Sequence, residues 1–160
     1  MDIITTVPII LIGLISFSAF WTINSSALKT QAISELQTIR EDFKSCDVKI
    51  FETAKKGLYS VCSFSVKNGE LAVGGDTIYY KIVEDGICDV GDWMYIDESN
   101  RIKEKCTAYN SLRLYEIEWN SPNIMFQRLG GKRGKIIEFR KLSDILIGSE
   151  SGYLLSIRIL

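Results

Sequence analysis

The stretch Ile3–Ile23, IITTVPIILIGLISFSAFWTI, decides how the rest of this 160-residue chain is read. Its 21 residues carry no charge. As a helix rising 1.5 Å per residue it would reach about 31 Å, close to the hydrocarbon thickness of a bilayer. Thr5, Thr6, Ser16, Ser18 and Thr22 can return their hydroxyls to helix carbonyls. No polar stripe remains, so such a helix needs burial all round: in lipid, in a core, or among identical helices of other subunits. Pro8 suits a helix only near its start and kinks one begun at Asp2. Met1-Asp2 puts no positive charge ahead of the run, unlike a secretory signal peptide. Lys29, Arg40, Lys44 and Lys49 all follow it, whereas a plain anchor keeps basic residues on its cytoplasmic flank. The expectation is a mature chain from which a short basic leader has been removed.

Working outward, the pattern turns amphipathic. Leu28, Ala32, Ile33, Leu36, Ile39 and Phe43 recur at three and four, with Lys29, Gln31, Glu35, Arg40, Glu41 and Asp42 between them. This predicts a helix continuing to about Lys44, one rod of roughly 40 residues and 60 Å. From Val48 the signals become short β-rich runs: 57–66, 71–73, 77–83, 93–96, 111–119, 124–129, 135–139 and 153–159. Asn68-Gly69 is the strongest hairpin marker, with turns at Gly74-Gly75-Asp76, Glu84-Asp85-Gly86 and Gly130-Gly131. In the first run Leu58, Cys62, Phe64 and Val66 share one face of a two-residue period. The expected fold class is α+β: a long N-terminal hydrophobic α-helix over residues 1–45, then an antiparallel β-rich, sandwich-like head over 46–160. Rod and head join without a linker, giving a lollipop shape.

The charge balance is even, 19 Lys and Arg against 20 Asp and Glu, and there is no histidine. A near-neutral chain has no basic surface for phosphate backbones, which argues against nucleic acid as a partner. Lack of histidine removes the commonest general base and metal ligand. Cys46, Cys62, Cys88 and Cys106 allow three pairings. The pairing expected is Cys46–Cys62, tying the helix end to the first inward-facing strand, and Cys88–Cys106, closing the loop around Trp93. Four reduced, buried thiols are the alternative. No CxxC pair gives zinc spacing, so no metal is expected.

Leu129-Gly130-Gly131-Lys132-Arg133-Gly134-Lys135 fails as a phosphate loop, which needs glycine at 129 and Ser or Thr at 136; it reads as a basic hairpin turn. Ser26-Ala27-Leu28-Lys29 has Ser/Lys nucleophile spacing without the companion motifs. Asn24-Ser25-Ser26 matches a glycosylation sequon by chance. No catalytic residue, cofactor or metal ligand is predicted, and the chain is not expected to be an enzyme.

An uncharged N-terminal helix passing into an amphipathic half and then a β-rich head resembles the type IV pilin superfamily, archaeal pilins and archaellins above all. Bacterial pilins carry glutamate at the fifth mature position, and Thr5 here points to the archaeal branch or a minor subunit. The resemblance implies a membrane-inserted precursor, a leader removed by a prepilin peptidase, an assembly machinery, and a homopolymer of identical subunits at the cell surface. Filament-core packing would then fall on Val7, Ile10, Gly13, Leu14, Phe17, Phe20 and Trp21. Gly13, Ser16 and Ser18 would allow close helix approach. Leu28, Ile33, Leu36 and Phe43 would form the junction of head and rod. Polymerisation is also what the physics favours: apolar surface left in water costs about 25 cal/mol per Å². Identical rods packed with an axial stagger make heterologous contacts, which propagate into filaments. The alternative is a single-pass anchored surface protein, or an accessory or minor pilin, whose head binds an envelope partner.

Overall fold

The computed structural model describes residues 3–131 and 133–160, with side chains from residue 29 onward. α1 spans Ile3–Lys56. Among the described residues nine strands follow: β1 (Tyr59–Ser63), β2 (Glu70–Gly74), β3 (Thr77–Glu84), β4 (Gly91–Tyr95), β5 (Ile102–Tyr109), β6 (Leu112–Asn120), β7 (Ile124–Gly130), β8 (Ile136–Ile147) and β9 (Glu150–Ile159). They form a four-stranded sheet in the order β1-β8-β9-β7 and a five-stranded sheet in the order β2-β3-β6-β5-β4. Every pairing is antiparallel except β7 with β9, which is parallel.

The apolar stripe of α1 explains where the helix goes. Ala32, Leu36, Ile39, Phe43, Cys46, Ile50 and Ala54 recur every three or four residues, and all are buried. At 100° per residue they fall within an arc of about 80°, one face of the helix. That face meets Cys62 and Phe64 on one side and the inward residues of both sheets on the other, in a single core. Phe43 meets Phe64 edge-on with ring centroids 5.2 Å apart. Trp119 of β6, Phe126 of β7 and Phe139 of β8 stack in succession at 5.5 and 5.9 Å, joining the two sheets. Full burial of each large apolar side chain contributes about 1.5–3 kcal/mol, so the helix is held as firmly as a strand.

This overturns the expected fold class. The part of α1 whose side chains are described, residues 29–56, is amphipathic and forms a layer of the β-rich body, not a hydrophobic stick beneath a separate head. Among the described residues no helix is long and apolar enough to cross a membrane. The helix end expected near Lys44 lies at Lys56, so a boundary at 45/46 falls inside α1. The physical reason is that the stripe does not stop at Phe43: Cys46, Ile50 and Ala54 continue it, and Gly57, with φ of 70°, ends the helix.

The strand map also differs in places. β5 had no counterpart in the runs read from sequence, because its inward position Glu104 breaks the apolar alternation of Ile102 and Cys106. Lys103 and Lys105 face outward, where they pair with Glu118 and Glu116 of β6. Leu58 is exposed and precedes β1, while Phe64 and Val66 are buried beyond the strand's end. Of the expected turns, Gly74-Gly75-Asp76 closes the β2–β3 hairpin. Asn68-Gly69 does not make a hairpin, because β1 and β2 belong to different sheets. The Gly130–Lys135 segment links β7 to β8, which lie on either side of β9, so it crosses over rather than turning back.

Candidate functional site

The side chains that fix α1 to the body lie on the two shoulders of its apolar stripe. On one shoulder stand Glu35 and Asp42, on the other Arg40 and Asp47, about 60–80° from the stripe's centre at 100° per residue. Glu35 is only 4% exposed and Asp47 6%. A buried carboxylate must be hydrogen-bonded or paired to be tolerated, and both are.

The Glu35 carboxylate accepts the backbone N–H of Lys67 at 2.8 Å, the N–H of Asn68 at 3.1 Å and its Nδ2 at 3.0 Å. It also accepts the N–H of Gly69 and the hydroxyl of Tyr80, the latter at 2.9 Å. Burial alone would raise the Glu35 pKa, but these donors outweigh it and hold the group below its ordinary value of 4.5. Tyr80 moves the other way: burial, then its bond to the carboxylate, pushes its hydroxyl well above the ordinary phenol. Gly69 lies against the Tyr80 ring, and any Cβ there would collide with it. Two turns along the same shoulder, Asp42 accepts the N–H of Ser65 at 2.8 Å. The link between β1 and β2 is thus wrapped on carboxylates of α1.

On the opposite shoulder Asp47 receives both Nε and Nη2 of Arg101 at 2.7 Å, a fork-to-fork pair, and Trp119 Nε1 at 2.7 Å. The Arg101 guanidinium also stacks on Phe51, 4.1 Å from the ring centroid. Arg40 reaches Glu104 with Nε at 2.6 Å and Nη2 at 3.0 Å, and Tyr115 donates its hydroxyl to the same carboxylate. Burial would lower the Arg40 pKa, but Glu104 and Tyr115 raise it. Burial and Glu104 push Tyr115 above the ordinary phenol range.

Two disulfides complete the site. Cys46–Cys62 joins the centre of the helix stripe to β1, and Cys88–Cys106 joins the β3–β4 link to β5, the pairing chosen from sequence. Between α1 and the β4–β5 edge lies a hollow of about 370 Å³, lined among others by Ile33, Arg40, Cys88, Met94 and Glu104. Of the charged groups on its wall, Arg40 and Glu104 satisfy each other, while Asp89, Asp92 and Lys105 also line it. Tyr115 is held neutral. No cluster of three or more metal-ligating side chains occurs among the described residues.

The residues expected to matter are distributed unevenly. Of the residues assigned to a head–rod junction, Leu36 and Phe43 are buried in the helix face that packs into the core. Ile33 is 49% exposed, because it sits about 100° round the helix from the stripe's centre. The side chains of Val7, Ile10, Gly13, Leu14, Phe17, Phe20, Trp21 and Leu28 lie outside the described residues, as do those of the Asn24-Ser25-Ser26 and Ser26–Leu28 motifs. The shoulder carboxylates were missed, since Glu35 and Asp42 read as solvated positions between apolar ones. The signal that finds them is angular: each lies at the edge of the apolar arc rather than opposite it. Compared with known proteins, the chain matches no family model, no curated protein and no solved structure.

Proposed function

We propose that this chain is a structural subunit of an extracellular, type IV pilus-like filament of the archaeal kind, inserted in the membrane before assembly. The observation that carries the reading is the way residues 35–47 of α1 are locked into the body by a disulfide and by carboxylates on both shoulders. This joint lies on the same helix as the uncharged sequence Ile3–Ile23, separated from it by eleven residues. A tether that only holds a domain near a membrane works with a flexible connection. A subunit that transmits load between an apolar assembly segment and an exposed body needs a stiff one. The two disulfides also suit an oxidising, extracellular setting, where thiols are not kept reduced.

The test is microscopy of cell-surface material together with mass spectrometry of the subunit's N-terminus. Fibres built from this chain, with a processed N-terminus, support the reading. A membrane-bound monomer that keeps its precursor N-terminus refutes it and leaves an anchored surface protein. Leu14→Asp is expected to abolish fibres while the body remains folded, because a charge among packed apolar segments has no partner.

A further inference from the structure

β4 is an edge strand that pairs only with β5, and all five of its residues are exposed. Its apolar side chains are large: Met94 and Tyr95 are each 61% exposed, with Val90 and Trp93 beside them. Such an edge is a template for association unless something covers it. Elsewhere the chain protects its edges. β1 is bound along α1, where Lys49 donates to the Val61 carbonyl. At β7, Asp76 takes the N–H of Phe126, and Arg128 donates to the Val73 carbonyl.

Charge identifies what β4 faces. Between Glu84 and Asn100 there are six carboxylates, Glu84, Asp85, Asp89, Asp92, Asp97 and Glu98, and no Lys or Arg. Of the lysines over the Trp93 ring, Lys103 is engaged by Glu118, and Lys105 lies 3.9 Å from Glu116, so six carboxylates face at most one loosely held cation. The opposite composition occurs on the other sheet. Residues 128–141 hold six cations and one carboxylate, Glu138, with Arg133 paired to Glu70 and Lys141 to Asp144. On the outer face of the four-stranded sheet, Arg140 lies across from Tyr59, and Arg158 across from Glu138. Exposed Leu58, Tyr59 and Leu129 supply apolar surface beside these arginines. A hollow of about 200 Å³ opens there between Tyr59, Leu129, Arg140 and Arg158.

We infer that the acidic, apolar β4 edge of one copy docks on the basic, apolar outer face of the four-stranded sheet of a second copy. The two patches lie on different sheets and are unlike one another, so the contact is heterologous and propagates. Opposite charges set register and approach, and the apolar side chains of β4 fill the hollow. This deepens the filament reading and rests on it, since it supplies the contact between bodies in the fibre.

The experiment is a charge exchange in the full-length chain, with self-association measured by sedimentation in detergent at low and high salt. Near-UV circular dichroism checks that each variant is folded. Asp89→Lys with Asp92→Lys is expected to weaken association about tenfold or more, and Arg140→Glu with Arg158→Glu likewise. The chain carrying all four changes is expected to recover most of the lost affinity, because the charges oppose again. High salt is expected to weaken the wild type. Either pair of changes leaving association unaltered, a four-fold variant no better than the pairs, or a wild type monomeric at low salt would overturn the inference. Normal fibres from Asp89→Lys/Asp92→Lys would remove this contact and leave the filament reading standing. A wild type that associates, is blocked by each exchange and rescued by both, yet never forms fibres, would establish the contact and remove the filament.

Discussion

Replacing Glu35 with alanine tests whether the shoulder carboxylates hold the helix in place. The change strips an acceptor from the buried Tyr80 hydroxyl and from the part-buried Lys67 and Asn68 amides. An unsatisfied buried donor costs about 1–3 kcal/mol. Water entering the vacated space offsets part of this, leaving an expected loss of about 3–5 kcal/mol. At about 2–4 °C per kcal/mol for a chain of this size, Tm falls by roughly 10 °C. The assay is urea unfolding of the oxidised chain followed by tryptophan fluorescence. Glu35→Ala, Tyr80→Phe and the double variant complete a cycle that isolates the pair's coupling. The pH dependence gives an independent check with a definite sign. The folded Glu35 pKa lies below the ordinary 4.5, so its contribution is complete above that value and fades as pH falls through the folded pKa. Glu35→Gln cannot take up that proton, so its stability should decline less steeply in acid than the wild type's. A loss under about 1 kcal/mol for Glu35→Ala, the level of an ordinary surface change, together with an unaltered acid limb, would refute the clamp.

Asp47→Ala leaves Arg101 and the Trp119 indole N–H without their acceptor, and a loss of about 3–5 kcal/mol is expected in the same urea assay. Gly69→Ala drives a methyl group into the Tyr80 ring; a loss of about 1–3 kcal/mol should appear, with a smaller loss in a Tyr80→Leu background where the ring is gone. Cys46→Ser with Cys62→Ser opens a loop with a sequence separation of 16, which costs about 3 kcal/mol in the chain-entropy account. The midpoint of urea unfolding should move accordingly, while reductant should no longer shift it through that bond.

How much of this was legible beforehand depended on whether a residue's partner lay nearby in the chain. The helix stripe from Ala32 to Phe43 was readable because its period is local. So was the β2–β3 hairpin, whose turn and register are set within a few residues. The extension of α1 to Lys56 was hidden because the β-rich signals were read from Val48 onward, although Ile50 and Ala54 keep the helical period. β5 was hidden for a different reason: Glu104 faces inward because Arg40, far away in sequence, and Tyr115 of the neighbouring β6 satisfy it. Asn68-Gly69 misled in the same way. Its backbone donors go to Glu35 rather than to a partner strand, and nothing within the local sequence records that choice.

The placement of the clamps decides what α1 can do mechanically. An apolar stripe alone resists pulling the helix off the body but resists rotation weakly, since neighbouring apolar side chains can exchange places at modest cost. Polar partners on both shoulders remove that freedom. Glu35 and Asp42 grip the β1–β2 link, whereas Arg40 and Asp47 grip β5, β6 and Arg101, which precedes β5. Turning the helix by one residue, about 100°, would break both sets at once and strand buried charges. The azimuth of α1 is therefore fixed relative to the two sheets. A contact made through the β4 edge and one made through the segment N-terminal to Lys29 are then held in a set angular relation. Glu35→Ala combined with Asp47→Ala should loosen that relation by more than either change alone. In fibres it would show as a loss of helical order beyond that of either single variant; unchanged helical order in the double variant would disprove the mechanical role of the clamps.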